Sequence, residues 1–273
     1  MEREHVDVAV VMVSYNGIVE ECLPSLQKAM NASDLNMAFV LVDNASTAFD
    51  AHTFAKRHVP EATVLLRNVN DGFGSASNRG ASEISADYYF FLNPDTRIDD
   101  MKMFDKLHAF MKEHPKVGVT APRVRYMDGR LQETCRRFPE WYMPVVRRTG
   151  IANKPKGQEL ERRFMMKDID HDVRRIVDWV QGSAFMIEGK LFKEIGGFDH
   201  RYFMYYEDVD LCRSCWEKGR PVYYVPEAEV FHVYSQASAS NKGAVKNLLS
   251  NKLARSHVTS WLKYTAKWFH RPI

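Results

Sequence analysis

Over the first 120 residues, hydrophobic positions fall in short continuous blocks, and each block closes on a polar cluster. Val6 to Ser14 (VDVAVVMVS) is nearly unbroken and rich in β-branched residues. That pattern suits a strand buried on both faces of a mostly parallel sheet. Tyr15-Asn16-Gly17 breaks the run, and Leu23, Leu26 and Met30 then recur at helical spacing. Met37 to Val42 closes on Asp43-Asn44, Ala62 to Leu66 on Arg67-Asn68, and Ala86 to Leu92 on Asn93-Pro94-Asp95. Gly74 to Ile84 reads as a helix of small residues, Asp100 to His114 as an amphipathic helix stopped by Pro115, and Val117 to Ala121 as a fifth strand. Strand and helix in alternation predict βαβ units: an α/β fold with a Rossmann-like, mostly parallel central sheet flanked by helices. Every polar cluster sits at the C-terminal end of a strand, the edge along which open α/β sheets bind ligands.

The pattern changes after residue 122. Arg123 to Arg137 reads as a hairpin around Asp128-Gly129. Asn153 to Arg175 carries 12 charged residues in 23, which predicts a mobile or solvated connection able to act as a lid. Val177 to Ile187 resumes an apolar strand around Gly182-Ser183. Glu207 to Lys218 is a helix, Val222 to Val225 and Val230 to His232 are short strands, and Asn241 to Phe269 is a long helix or helix pair. The expected division is a domain over 1–236, with a nucleotide-binding half over about 6–122 and a second half of smaller mixed structure over about 123–236. A helical tail over 237–273 follows.

Composition narrows the class. The chain has 273 residues, 45 % of them apolar and 27 % charged, which excludes a disordered or fibrous protein. With 38 basic and 35 acidic residues, the net charge of +3 gives no support to nucleic-acid binding. Four cysteines in this length make no disulfide framework, so a reducing, cytoplasmic setting is expected. Cys212 and Cys215 form a C-x-x-C, but Cys22 and Cys135 give no matching pair for zinc. The first apolar run is too short for a signal peptide, and no stretch approaches the ~20 apolar residues of a spanning helix.

Each polar cluster has a chemical and a plain structural reading. Pro94 ends its strand and leaves Asp95 at the sheet edge, where it either meets Mg²⁺ or Mn²⁺ or caps the next helix. Asp43 either accepts from a nucleoside or serves as a turn residue. The helix after Asn70-Asp71-Gly72-Phe73-Gly74 either receives an anion, with Arg79 on a phosphate, or packs closely because its residues are small. Glu207, Asp208 and Asp210 put three acids in four residues. They cap a helix, or their crowding raises a pKa and makes Asp208 a general base, with Asp210 turned to a structural hydrogen bond. His232, taken alone, reads as structural. From Asn241 to Ile273 there are seven Lys or Arg and no acid, interleaved with Leu249, Leu253, Trp261, Leu262, Tyr264, Trp268 and Phe269. Such a helix lies on an anionic membrane surface, packs on the domain, or makes a dimer contact.

Taken in order, these segments resemble the inverting family 2 glycosyltransferases of the GT-A fold, in their bacterial rhamnosyltransferase-like branch. The match runs from about residue 6 to 236. It rests on Val13-Ser14-Tyr15-Asn16, Val42-Asp43-Asn44-Ala45-Ser46, Asn70 to Gly80, Asn93-Pro94-Asp95, Trp179 to Ala184, Gly196-Gly197-Phe198-Asp199, Glu207-Asp208-Val209-Asp210-Leu211 and His232. The resemblance implies that Asp95 is the last acid of the family's metal motif, with Asn93 in its first position, and that His232 joins the metal or the diphosphate. It implies that Ser14, Tyr15, Asn16 and Asp43 hold the nucleoside, with Asn78, Arg79 and Asn93 near the base or diphosphate. Trp179, Gly182 and Ser183 would border the donor and acceptor sugars. Asp208 would be the catalytic base, with Glu207 binding acceptor hydroxyls.

The implied reaction moves a sugar, best matched by L-rhamnose from dTDP-rhamnose, to a hydroxyl of a glycan or lipid-linked acceptor in cell-surface polysaccharide assembly. Such an enzyme would be cytoplasmic, with a peripheral inner-membrane contact through 241–273. A UDP-sugar transferase of the same family and an inactive glycan- or nucleotide-binding scaffold are the alternatives. A sugar-nucleotide pyrophosphorylase would need a Gly-rich N-terminal loop and a Lys that Ser14-Tyr15-Asn16-Gly17 does not supply.

Overall fold

In a computed structural model, the structure describes residues 5–233 and 252–271. β1 (His5–Ser14), β2 (Met37–Asp43), β3 (Thr63–Leu66) and β4 (Ser85–Leu92) run parallel in the order β3-β2-β1-β4. The helices between them are α1 (Cys22–Ala32), α2 (Ala51–His58) and α3 (Phe73–Ala81). Side chains alternate across the sheet as a strand requires. Val8, Val10 and Met12 of β1 pack into one core with Leu23 and Leu26 of α1, and Ala9 and Val11 pack into the other.

Beyond β4 the sheet becomes mixed. β5 (Thr96–Arg97) and α4 (Met103–Glu113) lead to β6 (Val119–Arg125). β10 (Ala184–Glu188) inserts antiparallel between β4 and β6. β11 (Val222–His232) runs parallel to β6 and antiparallel to β5 and to β8 (Arg175–Val177). The two short strands expected over 222–232 are one strand with a register shift between Val225 and Glu229. Pro226, which cannot donate to a ladder, lies within that bulge. β7 (Cys135–Arg136) and β9 (Trp179–Val180) form a separate two-stranded ribbon. The hairpin expected at Asp128-Gly129 is a turn closed by a single bridge between Arg125 and Leu131.

The segment expected to be a mobile lid has more structure than its charge suggests. After α5 (Met143–Arg148) come a 3₁₀ turn (Gly150–Asn153) and α6 (Pro155–Phe164). Phe164, Met165 and Met166 are buried in the core. Its charges are largely paired: Arg162 with Glu159, Arg147 with Glu161, Arg137 with Asp168 and Arg123 with Asp172.

α7 (Gly189–Glu194) and α8 (Glu207–Glu217) cover the same sheet face. The last described element, α9 (Lys252–Trp268), lies against α8, with Ala254, Ser260, Tyr264 and Trp268 buried. The tail helix was expected from residue 241; positions 241–251 lie outside the described residues. Over the rest, one aromatic face of the helix is used inside the protein, which is the packed alternative. Among the described residues, no helix is long and apolar enough to cross a membrane.

Candidate active site

The ends of β1 and β2 are stitched together. Ser14 stands opposite Asp43 in the parallel register, and its Oγ donates to Asp43 Oδ1 at 3.2 Å. The Asp43 carboxylate also accepts from the Ser46 backbone N–H, at 2.9 Å, and from the Ser46 hydroxyl. Asn16, at φ 59°, accepts from Thr47 N–H (2.8 Å) and Ala48 N–H (3.2 Å) through its side-chain oxygen. Asp43 is therefore buried and fixed at the sheet edge, while Tyr15 projects from the turn, 55 % exposed. Asn44 is buried too. Its side chain ties this edge to the next loop by donating to Asn70 Oδ1 and the Gly72 carbonyl. Gly72, at φ 102°, lets the loop lie against the Phe203 backbone, where a Cβ would run into the Phe203 carbonyl.

Asn78 and Arg79 are not brought to this edge. Both ends of the Asn78 amide are taken by the Phe198 backbone, at 2.7 and 2.9 Å. Arg79 pairs with Glu83, one turn on in the sequence, at 2.6 Å. The small-residue helix α3 thus acts chiefly as a packing element against 197–198.

The end of β4 leads to the second cluster. Asn93 N–H donates to the Ser183 carbonyl (2.8 Å), placing Gly182-Ser183 beside Asn93-Pro94-Asp95. β5 pairs with the end of β11 and so carries Asp95 to His232. Asp95 Oδ1 and His232 Nε2 lie 3.0 Å apart. The other ring nitrogen, Nδ1, meets Gln132 Oε1 at 2.8 Å. A carboxylate oxygen and a ring nitrogen converging this way suit a shared divalent cation. Cis ligands of an octahedral ion at about 2.1 Å stand about 3 Å apart. The set is a pair: among the described residues no three His, Cys, Asp or Glu side chains gather to hold a metal, so an ion here would draw its remaining oxygens from phosphate and water. Cys212 and Cys215 are buried, and burial pushes the Cys215 thiol up to about 12.

The catalytic candidates open α8. Tyr205 and Tyr206 precede them at φ 68° and 70°, left-handed backbone for two consecutive non-glycine residues. Asp208 accepts from Gly182 N–H at 3.0 Å and from Val209 N–H at 2.8 Å. Glu207 Oε2 is buried without a hydrogen bond, as is Ser183 Oγ. Burial raises the pKa of both acids, and the neighbouring Asp208 charge adds to the rise at Glu207. At Asp208 the Gly182 and Val209 N–H groups and the Arg136 guanidinium oppose the rise; at Glu207 a backbone N–H alone does so. Two adjacent acids are thus both pushed upward by burial, with Asp208 the one held by tertiary donors.

Asp210, two residues on, faces away and receives Lys267 and Trp268, the structural role expected of it. Trp179 is also buried, with Nε1 donating to the Arg137 carbonyl, so its indole serves packing. Sequence reasoning missed Gln132, which orients His232, and Arg136. The Arg136 guanidinium lies over the Trp179 ring at 5.2 Å and donates to Gln181 Oε1. Nothing local marks either residue; their roles come from β7 and β6 meeting distant strands.

The family model described as "Glycosyl transferase family 2" matches residues 9–175, more than half of the chain. The N-acetylglucosaminyl-diphospho-decaprenol L-rhamnosyltransferase of Mycobacterium tuberculosis is 27 % identical, over 95 % of this chain and 87 % of its own length. Rhamnosyltransferase WbbL of Escherichia coli K12 is 26 % identical, over 95 % and 93 %. Among solved structures, GalNAc-T7 with UDP, GalNAc and Mn²⁺ superposes with a TM-score of 0.66 at 15 % identity, covering 97 % of this chain and 48 % of that one. The mannosyltransferase PcManGT of Pyrobaculum calidifontis, solved with GDP-Man and Mn²⁺, gives 0.57 at 14 %, covering 99 % and 77 %. The fold is that of these GT-A enzymes, and the chain belongs to glycosyl transferase family 2.

Proposed function

We propose that the enzyme transfers L-rhamnose from dTDP-rhamnose, with inversion, to a hydroxyl of a lipid-linked saccharide, on the pattern of an N-acetylglucosaminyl-diphospho-polyprenol. The carrying observation is the acid pair at Gly182. Asp208 accepts from Gly182 N–H beside the buried Glu207, and two buried polar atoms, Glu207 Oε2 and Ser183 Oγ, lack protein partners there. A substrate rich in hydroxyls supplies what those atoms need. The two rhamnosyltransferase relatives, aligned over nearly their whole length, support the choice of sugar and acceptor.

The roles follow from position. Asp43 and the Ser14-Tyr15-Asn16 turn receive the nucleoside, and Asn93 lies toward the diphosphate. Asp95 and His232 would hold Mg²⁺ or Mn²⁺, which when bound supplies positive charge to the departing diphosphate. Asp208 takes the proton of the acceptor hydroxyl as its oxygen bonds to the anomeric carbon. The bond from that carbon to the diphosphate oxygen breaks, and the nucleotide leaves with the electron pair. Attack from the opposite face inverts the centre in one displacement. Glu207, protonated, donates to an acceptor oxygen and holds it in line. We further assign contact with the cytoplasmic leaflet to the outer side of α9, where Leu262 and Phe269 are 55 % and 67 % exposed.

A thermal-shift panel of dTDP, UDP and GDP species with and without Mn²⁺, on the natural protein and Asp95→Ala, tests the donor reading. The expected outcome is a metal-dependent stabilisation by dTDP-rhamnose that Asp95→Ala loses, since a ligand bound only by the native state raises its stability. A response to UDP-sugars alone would replace the donor, and no response to any nucleotide would leave a glycan-binding scaffold.

A further inference from the structure

The turn that presents the catalytic pair needs holding. Two successive left-handed residues, Tyr205 and Tyr206, persist only where the surroundings over-determine them. Those surroundings come largely from α9. Ser260 Oγ donates to the Met204 carbonyl at 2.9 Å. The His257 ring stands 5.1 Å from the Tyr205 ring and 5.5 Å from that of Tyr206, and Tyr264 stands 5.3 Å from Tyr206. In the first turn of α8, the buried Asp210 accepts from Lys267 Nζ at 2.7 Å, from Trp268 Nε1 at 2.7 Å and from the Tyr202 hydroxyl at 3.2 Å. Lys267 also reaches Asp199, at 2.9 Å. The matched family segment stops at residue 175, so this junction lies wholly outside it.

We propose that α9 is a brace for the catalytic turn, and that Asp210, Lys267 and Trp268 are positioning residues that hold Asp208 against Gly182. The assignment rests on Asp208 being the base. The geometry supports it on both sides of that residue. Contacts from α9 fix the backbone at 204–206 just before the pair, and the Asp210 cluster fixes the helix just after it. Between them Asp208 has one tertiary anchor, the 3.0 Å bond from Gly182 N–H. A helix that only closed the core would contribute stability and nothing else. A brace also sets the distance from the Asp208 carboxylate to the acceptor hydroxyl, where misplacement by roughly 1 Å can cost about 100-fold in rate.

Two full-length variants separate these roles. Asp210→Asn with Lys267→Met removes the ion pair without leaving an uncompensated interior charge. Trp268→Phe keeps an aromatic ring while removing the indole donor and the ring that carries it. The expected result in both is a fall in kcat of about tenfold or more, with the KM for nucleotide sugar and the dTDP thermal shift unchanged, while Lys267→Arg stays near the natural kcat. Hydrogen exchange of the amides over 203–209 should quicken, and that around Gly182 and Asn93 should not. Unchanged kcat in a folded variant of lower thermal stability would overturn the brace. So would a dTDP shift lost together with kcat, because the damage would then be general. If the natural protein turns over no dTDP-sugar, the donor reading fails by itself; exchange over 203–209 then decides, and unaltered protection there overturns the proposal.

Discussion

At the scale of single residues, the site is a set of side chains whose backbone surroundings decide what they do. Burial raises the pKa of both adjacent acids, Glu207 and Asp208, and the Gly182 and Val209 N–H groups with Arg136 oppose the rise at Asp208. Asp208→Asn should cut kcat by about 100- to 10,000-fold, the usual worth of a general base, with donor KM little changed. The same variant should not be less stable, and the sign can be worked out. The folded-state pKa of Asp208 is raised, so between the ordinary carboxylate value and the raised one the folded protein binds more protons than the unfolded chain. Stability therefore falls as pH rises through that window and stays reduced above it. Asparagine has no such dependence, so its advantage in melting temperature over the natural protein should be larger at pH 8 than at pH 5. Melting curves at the two values test it; an equal difference at both would show that Asp208 is not destabilised by burial. The acid cluster could be singled out in the sequence because three carboxylates stand within four residues. Asn78 was misleading for the opposite reason. A polar residue on a helix of small residues looks free until the partner strand or loop is known, and here that partner, Phe198, lies 120 residues away.

At the scale of elements, the legible part was the part with local periodicity. β1 to β4 and the polar ends of each could be read as strands buried on two faces, and the structure puts them side by side with those ends on one edge. The insertion of β10 between β4 and β6 left no local trace, since strand order is set by pairings that periodicity does not encode. The 153–175 segment was misjudged because charge density was weighed above the Phe164-Met165-Met166 triplet, which anchors the end of α6 in the core. Gly72 offers a test of how the loop before α3 supports the site. Its φ of 102° and its approach to the Phe203 carbonyl leave no room for a Cβ. Gly72→Ala should cost about 1–3 kcal/mol, read by denaturant unfolding, because both the backbone conformation and the contact are affected. It should also slow turnover, since Phe203 is two residues from the left-handed turn that presents Glu207 and Asp208. A variant of natural stability would mean that the loop can move away without cost.

At the scale of the whole molecule, α9 has a buried side and an exposed side, and composition alone could not apportion its residues between them. Over 241–273, seven basic residues and a run of aromatics fit equally well a membrane-bound helix and a packed one. Packing has taken Tyr264, Trp268 and Lys267 for the core and for Asp210. Leu262 and Phe269 are left outside. If the enzyme works on lipid-linked acceptors, these two side chains are the apolar part of its hold on the bilayer, and the basic charge adds an attraction of about 1 kcal/mol per residue near an anionic surface. Because they lie away from the buried face, they can be altered without disturbing the brace. Leu262→Glu with Phe269→Glu should therefore leave the melting temperature and the rate on a short, water-soluble acceptor as they are. Co-sedimentation with vesicles rich in anionic phospholipid should fall several-fold, and so should the rate on a polyprenol-linked acceptor presented in such vesicles. High salt should weaken binding of the natural protein in the same assay, as screening of a surface attraction requires. Unchanged sedimentation in this folded double variant would remove α9 from the membrane contact and leave the helix with the single duty of holding the catalytic turn.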